Sequence, residues 1–171
     1  AAGLEEVVRY IQQLHFDEED IAYLRSKGAF CEDFLDFLRT FRFTGDIWAV
    51  PEGTPVFPKE PILTVRAPAI EAQFIENYVL LTLNHQPLIA SKANRIVRAA
   101  QGRAVSEFGS RRAQGADGAV SGARAAYLAG CSGTACAMAD ERYGVPAGGT
   151  MAHSWVQMFE DEFTAFDVYC A

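Results

Sequence analysis

Two segments of this 171-residue chain carry side chains that could handle an anion. One is Glu107-Phe108-Gly109-Ser110-Arg111-Arg112-Ala113-Gln114-Gly115, and the other is Gly148-Gly149-Thr150-Met151-Ala152-His153-Ser154-Trp155. A guanidinium presents its donors in a planar fork that matches a carboxylate or phosphate, so Arg111 and Arg112 form a candidate acid-binding pair. Phe108 beside them could stack a flat ring. Two glycines allow close backbone approach to a ligand. A neutral imidazole such as that of His153 can act as a nucleophile toward a phosphoryl group or as a general base. A helix starting there would add N–H groups that attract phosphate. Each motif also has a plainer reading: Arg111 and Arg112 as solvated groups paired with Glu107 or Asp117, and His153 as a cap of its own helix. Gly133-Thr134, read as a second helix start, repeats the anion-cradle pattern.

The elements that must position these groups follow from the pattern around them. Short runs that read as buried strands, Arg103 to Ser106 and Val145 to Ala147, precede the two segments, and helical patterns follow them. Strand, polar loop and helix in repetition is the rhythm of an α/β fold, in which loops at the carboxyl ends of parallel strands carry the chemistry.

Upstream, Leu4, Val7, Val8, Ile11 and Leu14 recur at helical spacing. Asp17 is placed to cap a second helix reaching Gly28, and Glu32 to Thr40 reads as a third. From Phe41 the period changes to two. Phe43 to Val50, Thr54 to Phe57 and Pro61 to Arg66 read as short strands separated by Pro-Glu-Gly and Pro-Lys-Glu turns. Antiparallel strands on a layer of helices make an open-faced α+β sandwich. Pro68 starts a long helical pattern that Pro87 should break or kink, with a second helix from about Leu88 to Ala100. We therefore expect an α+β sandwich domain over residues 1–87, followed over 88–171 by a linking helix and the first βα units of an α/β barrel. Asp117 or Gly118 starts a helix through Leu128, Gly130 to Thr134 reads as a strand-to-helix loop, and Ala135 to Tyr143 as a helix ended by Gly144. A last helix is expected from His153 to the final residue.

Composition narrows the function. Half the residues are apolar, and 22 acidic against 15 basic residues leave a formal charge of −7, which argues against a dedicated nucleic-acid binder. No apolar run approaches the roughly 18 residues of a membrane span. Cys31, Cys131, Cys136 and Cys170 lack metal-ligand or CxxC spacing and read as small apolar residues in a reducing, cytoplasmic setting. His15 and His85 read as structural. The opening residues lack an initiating Met and a basic leader, which reads as a chain cut from a longer one.

Taken together, the segments "FTGD…VPEGTPVFPKEP", "EFGSRRAQGADGA" and "GTMAHSW" closely resemble the nicotinate phosphoribosyltransferase family. The resemblance implies the type II phosphoribosyltransferase-like fold and an enzyme, active as a homodimer in NAD salvage, that joins nicotinate to phosphoribosyl pyrophosphate. It implies coupling to ATP hydrolysis through a phosphohistidine at His153, and Mg²⁺ accompanying phosphoribosyl pyrophosphate and ATP. Phe108 and Arg111 fall where the family stacks and holds the pyridine acid. Arg112, Ser132, Thr134 and Thr150 complete the candidate substrate contacts. Gly133-Thr134-Ala135-Cys136-Ala137 departs from the family's "GTSNV". The family's N-terminal ligand-contacting segment and later barrel strands have no counterpart in these residues. A nicotinamide- or quinolinate-using relative, or a non-catalytic remnant that only binds ligand or dimerises, are the alternative readings.

Overall fold

The computed structural model describes residues 1–171, and its architecture starts from apolar spacing in the first helices. In α1 (Leu4–Gln13), Val7 and Ile11 share a face and are buried against Ile75 and Val79. The Tyr10 ring stacks on Tyr78 with centroids 3.9 Å apart. Helix α2 (Glu18–Ser26) begins at Asp17, whose carboxylate accepts from Glu19 N and Asp20 N at 2.9 Å each. The Asp20 carboxylate in turn accepts from Asp17 N, which closes a capping box. Helix α3 (Glu32–Arg39) buries Leu35 and Leu38 with Ile21 of α2, and Phe41 is wedged edge-on between Phe16 and Phe74.

Strands β1 (Asp46–Ala49) and β2 (Leu63–Arg66) pair antiparallel, with Ile47 opposite Val65 and Trp48 opposite Thr64. The period of two sends Ile47, Leu63 and Val65 onto the α1 and α4 core and leaves Trp48 on the open face. Thr54 to Phe57, expected as a strand, is irregular. Pro55 and Pro58 lack the N–H a ladder needs, and turns close in on both sides.

Helix α4 (Ala69–Ala99) corrects the expectation of two helices, because it runs unbroken through Pro87. The proline removes one N–H that would bond to Leu83, at a cost of about 3 kcal/mol in an isolated helix. Packing against α1 on one flank and α5 (Ala116–Leu128) on the other outweighs that. Ser91 Oγ also donates to the Pro87 carbonyl at 2.6 Å. The boundary expected at residue 87 therefore lies inside a continuous helix.

Beyond α4 the chain forms parallel β structure. Strand β3 (Ser106–Glu107) pairs with β4 (Gly133–Thr134) in register Ser106 with Gly133 and Glu107 with Thr134, and Thr134 bridges in parallel to Ala147. The first strand lies at the end of the expected run, and Val145 to Ala147 contributes a single bridge. Gly133-Thr134, expected in a loop, is itself the middle strand. Any Cβ at Gly133 would lie 2.6 Å from Pro146 O, so only glycine admits this approach. Helix α5 and α6 (Ala137–Tyr143) cover the strands through Val120, Ala123, Ala139 and Val145. Gly144 closes α6 in the left-handed conformation, φ 66°.

The single last helix expected from His153 is two helices, α7 (His153–Val156) and α8 (Glu162–Cys170). Asp161 accepts from Thr164 N at 2.9 Å and starts the second afresh, and Trp155 Nε1 donates to Ala165 O at 3.1 Å across the bend. No helix is long and apolar enough to cross a membrane.

Candidate functional site

The parallel ladder brings three chain segments side by side at the carboxyl ends of its strands. Ala135 N donates to Glu107 O at 3.0 Å, Thr134 N to Pro146 O at 2.9 Å, and Gly148 N to Thr134 O at 2.8 Å. These bonds set the segment after Glu107, the segment after Thr134 and the Gly148-Gly149 segment next to one another, as the βα pattern requires.

The first segment turns immediately. Ser110 to Arg112 form one 3₁₀ turn, with Arg112 N donating to Gly109 O at 2.8 Å. Phe108 and both arginines are exposed. Neither arginine enters an ion pair, so the alternative of pairing with Glu107 or Asp117 is not realised. Asp117 lies 3.9 Å from Arg142. Glu107 turns back, with one oxygen on Gly109 N and the other accepting from Thr134 Oγ1 at 2.7 Å.

Thr134, expected among the substrate contacts, is 1 % exposed, and its hydroxyl donates to Glu107. Ser132 is exposed, with its hydroxyl donating to Val105 O at 3.1 Å and 3.4 Å from Ser106 Oγ. Thr150 and His153 are exposed, and the His153 ring makes no hydrogen bond within the chain. Helix α7 is one turn of four residues, so the dipole argument for His153 is weaker than its sequence context suggested. Cys131 is buried, and burial followed by the Glu107 charge pushes its thiol up, which keeps it an unreactive packing residue.

Arg112, Glu107, Gly109 and Ser110 line one side of a groove of about 1110 Å³, and α1, α4 and α5 line the other. His85, left out of the site by sequence reasoning, faces this groove with Nε2 3.3 Å from Gly118 O.

A polar cluster that sequence reasoning missed holds α5, and with it the arginine turn, onto the N-terminal helices. Arg124 is 6 % exposed and donates to Glu52 Oε1 at 2.9 Å, to Glu52 Oε2 at 2.7 Å and to Glu5 Oε2 at 2.5 Å. Glu52 also accepts from Gly3 N and Leu4 N, which caps α1. Tyr143 donates to Glu6 at 2.5 Å and lies under the Arg124 guanidinium, 5.3 Å to the ring centroid. Burial, then the Glu6 bond, pushes the Tyr143 phenol up to about 12. The Glu52 hydrogen bond raises Arg124 further above its already high value. The available signal was Arg124 itself, a long cation on an otherwise Ala- and Gly-rich helix face.

A helical layer with a two-stranded antiparallel sheet, followed by parallel βα units whose strand ends present unpaired arginines, defines an α+β sandwich joined to the opening of an α/β barrel. Residues 1–84 match the family described as nicotinate phosphoribosyltransferase (NAPRTase) N-terminal domain. The nicotinate phosphoribosyltransferase pncB2 of Mycobacterium tuberculosis is 51 % identical over 99 % of the chain, and that of Bacillus subtilis 44 % over 98 %. The crystal structure of human nicotinic acid phosphoribosyltransferase superposes with a TM-score of 0.84 at 32 % identity, covering 93 % of this chain and 33 % of that one. Nicotinate-nucleotide pyrophosphorylase from Pyrococcus furiosus superposes with a TM-score of 0.69 over 74 % of this chain and 32 % of its own. The chain belongs to the nicotinate phosphoribosyltransferase family. It spans about a third of the length of these curated relatives, 36 % and 34 % respectively.

Proposed function

We propose that this chain carries the nicotinate-recognising face of a nicotinate phosphoribosyltransferase, which forms nicotinate mononucleotide and pyrophosphate from nicotinate and phosphoribosyl pyrophosphate. The observation that carries the reading is the unpaired Arg111 and Arg112 on a turn beside exposed Phe108, at the end of a parallel strand. A flat aromatic acid needs a ring to stack on and a forked cation for its carboxylate, and these three residues supply both. Ser132 and Thr150 are proposed to add hydroxyl contacts.

In this reading His153 is the phosphoryl acceptor. Its unprotonated ring nitrogen attacks the γ-phosphorus of ATP, an N–P bond forms as the bond to the β-phosphate oxygen breaks, and ADP leaves. Exposure of the ring favours access by a nucleotide. Mg²⁺ is proposed to travel with the phosphates of phosphoribosyl pyrophosphate and ATP. No cluster of three or more His, Cys, Asp or Glu stands ready to hold it in this chain. Residues 1–87 are proposed as the supporting sandwich and 88–171 as the site-bearing part, in a homodimeric cytoplasmic enzyme of NAD salvage.

The test is ATP-dependent formation of nicotinate mononucleotide by the protein that contains this chain, with nicotinamide as the comparison substrate. Product from nicotinate and little from nicotinamide is the expected result. Equal use of both would remove the carboxylate-binding role of the arginine turn.

A further inference from the structure

We propose that Glu107 and Thr134 are a positioning pair that keeps Arg111 and Arg112 unpaired for an incoming carboxylate. The inference rests on the acid-binding role assigned above and deepens it. A glutamate four residues before an exposed arginine pair should draw those cations onto itself, and an arginine so paired is a poorer partner for a ligand. In this fold the glutamate is held elsewhere.

Each Glu107 oxygen has its own donor. Oε1 accepts the Gly109 N–H and Oε2 accepts the Thr134 hydroxyl at 2.7 Å. The Thr134 oxygen in turn accepts the Cys136 N–H at 3.0 Å, which directs its proton toward Glu107. Thr134 is 1 % exposed, so water does not compete for this hydroxyl. Gly109 leaves room for this bend: a Cβ there would lie 2.8 Å from Glu107 Oε1, so the carboxylate would have to shift. The backbone bond from Ala135 N to Glu107 O, 3.0 Å, fixes the strand end to which the carboxylate is attached. Glu107 and Arg112 line the same groove, yet no ion pair joins them. Thr134 is therefore a positioning residue acting through Glu107.

Thr134→Val keeps the shape and removes the donor, and Thr134→Ser restores it. Nitrogen-15 spectra of the arginine Nε–H groups read the pairing state without any ligand, and nicotinate and nicotinamide titrations read its consequence. The expected result is that Thr134→Val shifts and protects the Nε–H signal of Arg111 or Arg112. It should also weaken nicotinate about 3- to 5-fold, the effect of competition from one exposed ion pair. Nicotinamide binding should stay unchanged, and Thr134→Ser should behave as wild type. Unchanged Nε–H signals in a folded Thr134→Val protein, or equal losses for both ligands, would overturn the proposal. If the wild-type protein binds neither pyridine, the acid-binding role fails, and the Nε–H signals still decide whether Thr134 and Glu107 keep the arginines apart. Should Thr134→Val not fold, Gly109→Ala displaces the same carboxylate and is read by the same signals.

Discussion

Arg124 on α5 and Glu52 in the turn after β1 are joined side by side by two N–H···O bonds, of 2.9 and 2.7 Å, although 72 residues separate them. The guanidinium is almost fully buried, and removing it leaves the largely buried Glu52 carboxylate with only the Gly3 and Leu4 N–H groups as partners. Arg124→Met should therefore cost about 3–5 kcal/mol of stability, the usual loss when one member of a buried pair is deleted. Urea unfolding followed by circular dichroism measures this. Adding Glu52→Leu should recover part of the loss, because the remaining charge goes with it.

The same pair sets an acid limb. Burial works to raise the Glu52 pKa, but the hydrogen bond and charge of Arg124, with the Gly3 and Leu4 N–H groups, bring it below the ordinary carboxylate value. A carboxylate lowered in the folded state stabilises above its unfolded pKa of about 4.3, and that stabilisation is lost as pH falls through the folded value. The urea midpoint should drop below about pH 4 and do so less steeply in Glu52→Gln. Parallel pH profiles for the two proteins would remove Glu52 from the acid limb.

Arg111→Ala tests the acid contact directly. In the complete enzyme the loss for nicotinate should be about 2–4 kcal/mol, since a carboxylate would be left without its charge partner. Nicotinamide, which has no charge to lose, should suffer less. The ratio of kcat/KM for the two substrates is the measurement, and an unchanged ratio would count against the assignment.

His153→Asn keeps a polar group of similar reach and deletes the nucleophile. It should abolish ATP hydrolysis and ATP stimulation while leaving a slow ATP-independent transfer, because Phe108 and Arg111 are untouched. Label from γ-phosphate ATP should appear on the wild-type protein as an acid-labile, base-stable adduct and be absent from the variant. Label retained by His153→Asn would move the acceptor to another residue.

The helices at the start were legible because their information is local: Val7 and Ile11 share a stripe, and Asp17 stands three residues before its capping partner Asp20. Thr54 to Phe57 misled because its β-favouring residues sit between prolines that a ladder cannot use. Pro87 misled in the opposite direction, since its local cost is real and only contacts with α1 and α5 outweigh it. At the site, Phe108 and the arginines were legible as candidates by type and setting, and the fold adds that they lie exposed just beyond the end of β3. The Glu107 to Thr134 bond and the Arg124 cluster were not, because their partners lie 27 to 137 residues away and only the fold brings them together.

Helix α4 rises about 46 Å over its 31 residues. Its first half supplies Ile75 and Val79 to one core, and its second half supplies Ala93 to another with Ala126 and Cys131. Neither core can dissolve without exposing half of the same helix. The two halves of the chain should therefore unfold as one cooperative unit, seen as a single melting transition.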